Sequence, residues 1–235
     1  MINNHSFNTI EVNDASEMEL YVAIPEGNGP FPSIILIQEA FGVTAHIRNQ
    51  VEKFCNEGYA VVSPDIFHRT IKRIEAAYTD FSIVTPHYQA ITFENLKADL
   101  TACYNFIQNQ SNISKEKIGC IGYCLGGRVA YIANSILPLF AAVSYYGGGI
   151  ELLTDKAESL HGAHLFIWGG LDTGITTEKI DTVINAVKNA GKEYINIVFS
   201  NAQHAFNNNE RPNFNQNASN EAWALTKAFF ENRLK

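Results

Sequence analysis

The stretch Lys117 to Ala130, KIGCIGYCLGGRVA, constrains the fold more than any other part of the chain. It opens on an apolar run, Ile118 to Ile121, of strand length. It turns through Gly122-Tyr123-Cys124-Leu125-Gly126-Gly127 and continues as Arg128-Val129-Ala130-Tyr131-Ile132-Ala133, which suits a helix. A strand that passes into a helix through Gly-x-Cys-x-Gly makes a sharp, strained turn with the central residue presented at its tip. Gly122 and Gly126 have a steric task there, because a Cβ at either position is expected to strike the neighbouring strand or helix. Cys124 itself must accept strained φ/ψ. The helix that starts after it aims backbone N–H groups and a positive dipole end at the sulfur. A thiolate, or the oxyanion it generates, is stabilised at such a point.

The rest of the chain reads as strands alternating with helices. Two strands, His5 to Asp14 and Met18 to Ile24, lead through the turn cluster Pro25–Pro30 to a continuous apolar strand, Ser33 to Gln38. A helix over Ala45–Glu57 stops at Gly58, and Tyr59 to Ser63 is the next buried strand. Asp65 to Pro86 is the least patterned segment, a loop-rich excursion with a short helix expected around Ile71 to Tyr78. Phe93 to Gln108 is amphipathic, carrying Leu96, Leu100, Cys103 and Ile107 on one side. After the Cys124 turn come strands at Leu139–Tyr145, Ala163–Trp168 and Tyr194–Ser200, with helices at Thr177–Ala190 and Ser219–Asn232. This order implies an α/β fold, a doubly wound and mainly parallel sheet flanked by helices on both faces. No linker or internal repeat interrupts it, so residues 1–235 are expected to form a single domain, a size that one core can serve.

Two further side chains complete a constellation around Cys124. Asp172 follows a strand in Gly169-Gly170-Leu171-Asp172, and His204 follows another in Gln203-His204-Ala205-Phe206. Nucleophile, acid and histidine in that chain order, each at the carboxyl end of a parallel strand, form an acyl-transfer triad. In it Cys124 attacks an acyl carbon, His204 moves protons and Asp172 fixes the imidazole tautomer. The competing histidines are less well placed. His161 and His164 carry a faint metal-ligand spacing, but no further ligand cluster supports zinc, so neither metal nor cofactor is expected.

These motifs, with Gln38-Glu39-Ala40-Phe41-Gly42 upstream, resemble the dienelactone hydrolase family of the α/β-hydrolase superfamily, from about Met18 to Phe230. The resemblance implies hydrolysis of small esters or lactones through an acyl-enzyme. It also implies that Glu39 holds the resting thiol proton, and that the N–H groups of Leu125 and Ala40 form the oxyanion hole. Dienelactone-cleaving relatives also carry an arginine four residues after the catalytic histidine, to bind a substrate carboxylate. Here that position is Asn208, with Arg211 nearby and Arg69 and Arg73 in the irregular excursion. Phe41, Tyr88, Tyr123, Tyr145 and Phe206 are candidate pocket aromatics.

Composition narrows the partners. A net charge of −7 without a Lys/Arg cluster argues against nucleic acid, and the apolar runs are too short to span a bilayer. Met1 to His5 lacks a signal-peptide pattern, so the cytoplasm is the expected location, with a small-molecule substrate and a monomer or small homo-oligomer. Cys55, Cys103, Cys120 and Cys124 should be reduced there. Two other functions fit the same scaffold: a redox or electrophile sensor built on Cys124 and Cys120, and a catalytically silent binding protein.

Overall fold

A computed structural model describes residues 4–235. Its eight strands form a mostly parallel sheet with flanking helices, and contacts divide the chain into two compact units, 1–118 and 119–235.

In the first unit β1 (Asn4–Glu11) pairs antiparallel with β2 (Glu17–Ile24), and β2 pairs antiparallel with β4 (Ala60–Pro64). β4 runs parallel to β3 (Phe31–Ile37), giving the order β1-β2-β4-β3. Every residue of β4 and the last five of β3 are buried, as expected of strands covered on both faces. Helix α1 (Ala45–Asn56) buries Ile47, Val51, Phe54 and Cys55, and Gly58 follows its end at φ 90°. Helix α3 (Phe93–Gln108) begins where the Thr92 hydroxyl accepts the Asn95 N–H at 3.1 Å, and it buries Leu96, Leu100, Cys103 and Ile107.

The helix expected at 71–78 is absent. A 3₁₀ turn at Phe81–Ile83 and the short α2 (Thr85–Gln89) stand further along instead. Pro86 lies in the first turn of α2, where its missing N–H costs nothing, so it opens this helix rather than closing a loop.

The second unit holds the parallel strands β5 (Ile113–Tyr123), β6 (Ala141–Tyr145), β7 (Ala163–Gly169) and β8 (Tyr194–Phe199), paired in that order. The start of β5 lies in the first unit. Each residue of β6 and β7 is buried, whereas β8, at the sheet edge, exposes Ile195 and Val198. Helix α4 (Leu125–Ile136) packs on β6, α5 (Thr177–Asn189) on β8, and α6 (Gln216–Leu234) on β6 and β7.

Two glycines of β5 show how helices cover both of its faces. A Cβ on Gly119 would meet Leu234 and Phe230 of α6, at 2.8 and 3.0 Å. A Cβ on Gly122 would run into the backbone of Gly126 in α4. Residues 119 and 122 differ in parity, so they point to opposite faces of the strand.

Gly122 is therefore the narrowest tolerance in this unit. We expect Gly122→Ala to lower stability by roughly 3 kcal/mol, the upper end for overpacking, because the added Cβ would meet only backbone atoms of Gly126, which cannot swing aside as a side chain can. A urea-unfolding midpoint measures it.

Candidate active site

Cys124 stands between β5 and α4 with φ 55° and ψ −114°, a conformation that side chains rarely adopt. Local bonds hold it there. Its N–H donates to Tyr145 O at 3.0 Å, and its carbonyl accepts the N–H groups of Gly127 (3.0 Å) and Arg128 (3.3 Å). A Cβ on Gly127 would lie 2.6 Å from Tyr145 O, so that glycine also lets α4 sit against the end of β6. The cysteine is partly exposed, while Leu125, the first residue of α4, is buried.

The loops after β7 and β8 bring the other two groups to it. His204 Nε2 lies 3.2 Å from Cys124 Sγ, and His204 Nδ1 donates to Asp172 Oδ2 at 2.6 Å. Asp172 is buried, and its other oxygen accepts the N–H groups of Gly174 (2.9 Å) and Ile175 (3.1 Å). Burial on its own would raise this carboxyl, but the His204 bond and the two backbone donors outweigh it and hold the group below its ordinary value. For His204, burial pulls downward, while hydrogen bonds to Asp172 and Cys124 and the charge on both raise the imidazole to about 10. The Asn213 side chain donates to the His204 carbonyl at 3.2 Å, and Ala205 follows with φ 62°. Sulfur, imidazole and carboxylate thus form one relay, able to deliver a nucleophile and to return its proton.

Glu39 and Ala40 belong to the first unit, in the tight turn after β3, where Glu39 and Gly42 form an isolated antiparallel bridge. Each is about 1% exposed, so Glu39 is not a solvated charge at the strand end. Asn208 is fully buried, its Oδ1 accepting the Glu210 N–H at 2.9 Å. Arg69 bridges Asp14 and Asp99, at 2.7 and 2.8 Å, and Arg73 pairs with Glu19. His161 is exposed, whereas the two nitrogens of buried His164 face Ser144 Oγ (2.8 Å) and Asn134 Nδ2 (3.3 Å). Of the candidate aromatics, Tyr123, Tyr145 and Phe206 pack within the core of the second unit, and the Tyr145 hydroxyl bonds Thr226 at 2.8 Å. Tyr146, unflagged in the sequence, has its ring 5.1 Å from that of His204. No residue-type signal announces it, because it reads as one more apolar residue ahead of a glycine run.

A doubly wound sheet with this turn at the head of its helix defines an α/β-hydrolase. The chain belongs to the dienelactone hydrolase family, whose sequence profile matches residues 18–234. It is 29% identical over 225 residues to a protein of Synechocystis sp. provisionally named carboxymethylenebutenolidase, covering 92% of each chain. A carboxymethylenebutenolidase of Pseudomonas putida is 33% identical over 153 residues, 61% of each. The crystal structure of a provisionally named dienelactone hydrolase from Klebsiella pneumoniae superposes with a TM-score of 0.90, at 25% identity over 98% of this chain and 99% of that one. No helix among the described residues is long and apolar enough to cross a membrane.

A histidine whose folded value exceeds its ordinary 6.5 stabilises the fold fully below 6.5 and loses that contribution as pH rises through about 10. We expect the stability difference between wild type and His204→Gln to be flat below about pH 6.5 and to shrink from there to about pH 10. Asp172→Asn and Cys124→Ala should each bring the His204 titration down towards its ordinary value, as followed by NMR of the labelled ring.

Proposed function

We propose that this protein hydrolyses small esters or lactones through a thioester formed on Cys124. The observation that carries the proposal is the continuous relay from Cys124 Sγ to His204 Nε2 at 3.2 Å and from His204 Nδ1 to Asp172 at 2.6 Å. The names of the relatives, dienelactone hydrolase and carboxymethylenebutenolidase, support the same substrate class.

The steps balance with these groups alone. The thiol proton passes to His204 and the sulfur adds to the acyl carbon, so that the carbonyl oxygen becomes an oxyanion. That charge falls near the first turn of α4, where the Leu125 N–H is one donor; the Ala40 N–H is assigned as the second on the family resemblance. Fixing such a donor in advance is worth ~3 kcal/mol in hydrolases that use one. Collapse expels the leaving oxygen, which takes the proton from the imidazolium. Water, deprotonated by the now neutral imidazole, attacks the thioester and releases the acid and the free thiol. Asp172 keeps Nδ1 protonated throughout, so Nε2 always faces the sulfur.

Glu39 is assigned, again on the resemblance, to hold the thiol proton in the resting enzyme. In this proposal residues 1–235 act as one hydrolase domain. The electrophile-sensor alternative loses its second thiol: Cys120 is fully buried, which pushes its thiol far above the ordinary range.

Burst release of p-nitrophenol from a short-chain ester tests the proposal. We expect Cys124→Ala to abolish both burst and turnover, and Asp172→Asn to lower kcat by roughly 10²–10⁴-fold. Native turnover in folded Cys124→Ala would dismiss the nucleophile.

A further inference from the structure

We propose that Tyr146 is a positioning residue whose aromatic ring holds the His204 imidazole in the one orientation that faces Cys124 and Asp172 together. The inference rests on the hydrolase reading above, but the observations behind it are separate.

Backbone strain among the described residues gathers at this site. Five non-glycine residues have positive φ, and three of them are Cys124, Tyr146 and Ala205, the last directly following His204. Tyr146 stands at φ 38° immediately after β6, where a glycine would be relaxed, and glycines occupy the next three positions. A tyrosine retained in such a conformation implies that its side chain does something a glycine would not.

The backbone around it is pinned. Its N–H donates to Ile167 O at 2.7 Å, and its carbonyl accepts the Gly148 N–H at 3.0 Å. The preceding carbonyl, that of Tyr145, receives the N–H of Cys124. One strand end therefore fixes the nucleophile through residue 145 and the aromatic wall through residue 146. That wall is fully buried. Its ring meets the imidazole at 5.1 Å and 59°, and it is backed by Phe206 at 5.4 Å in an edge-on contact.

Among the described residues, Cys124, Asp172 and this ring all face the His204 imidazole. Two hydrogen bonds leave the imidazole free to tip about the line joining its nitrogens, and a backed ring on its flank removes that freedom. The protonated imidazole also lies within the ~6 Å range over which an aromatic ring attracts a cation. Neither effect needs the phenol oxygen.

The test compares Tyr146→Phe with Tyr146→Leu, and with Tyr146→Met, which fills similar volume without a ring and serves should the leucine variant not fold. We expect Tyr146→Phe to keep kcat within about twofold of wild type, and the ringless variants to lower kcat about tenfold or more with KM within about threefold. NMR of labelled histidine should show the proton affinity of His204 reduced by about three- to tenfold in the ringless variants and unchanged in Tyr146→Phe. Native kcat and native His204 titration in a folded ringless variant would overturn the proposal. So would a loss in Tyr146→Phe equal to that in Tyr146→Leu, or a loss of kcat with the His204 titration unmoved. The titration requires no turnover, so a failure of the hydrolase reading, seen as an active Cys124→Ala, is told apart from a failure of this one.

Discussion

The site depends on one backbone bend that the chain would not adopt unaided. Holding Cys124 at φ 55° and ψ −114° costs on the order of 1–3 kcal/mol. It persists because several bonds converge on it. The Tyr145 carbonyl takes its N–H, the first turn of α4 caps its own carbonyl, and a glycine at 122 lets strand and helix backbones approach as no other residue could. Straightening the bend would break all of these at once and lift a helix with ten buried residues off the sheet. Strain at one residue is thus secured by a whole layer of packing.

The second unit also shows how environment alone separates two histidines. His164 is fully buried among neutral partners, and burial lowers it to about 3. Its tautomer follows from hydrogen-bond logic. The Ser144 hydroxyl spends its one proton on Gly127 O at 2.6 Å, so His164 Nε2 must donate to Ser144 and Nδ1 must accept from Asn134. A neutral imidazole therefore ties β6, β7 and α4 together beneath the Cys124 turn. His204 is only partly buried, its side chain 31% exposed, and hydrogen bonds to the Asp172 carboxylate and Cys124 outweigh the downward pull of burial and carry it to about 10. One residue type is held neutral in one place and has its proton affinity raised in the other, and the presence of an anion decides which.

What could be read from residues alone follows the same physics. The Cys124 turn, the continuous apolar strands and the order of Cys124, Asp172 and His204 all leave marks in residue type, and the structure brings those three side chains together. Boundaries blurred where the mark is weak. β5 starts at Ile113 rather than Ile118, because Ser114 to Lys117 is a polar, mostly charged stretch that lowers the apolar signal without preventing pairing. Likewise β1 ends at Glu11, ahead of a turn at Val12–Ser16. Tyr146 was illegible for a deeper reason, since its conformation is imposed by tertiary contacts rather than by local preference.

The same distinction governs the departure at residue 208. Family resemblance leads one to expect a cation there, but Asn208 is enclosed and its side chain closes the turn that leads to Glu210. An arginine in its place would have to bury a guanidinium where a short, uncharged side chain now accepts the Glu210 N–H, and burying a charge is costly. Arg69 and Arg73 are already matched to carboxylates of the first unit, so moving either towards a ligand would strip Asp14, Asp99 or Glu19 of its counter-charge. A carboxylate-binding corner of the expected kind is therefore not one substitution away. The turn closes on an uncharged residue, so discrimination among esters and lactones must come from elsewhere than a cation at 208.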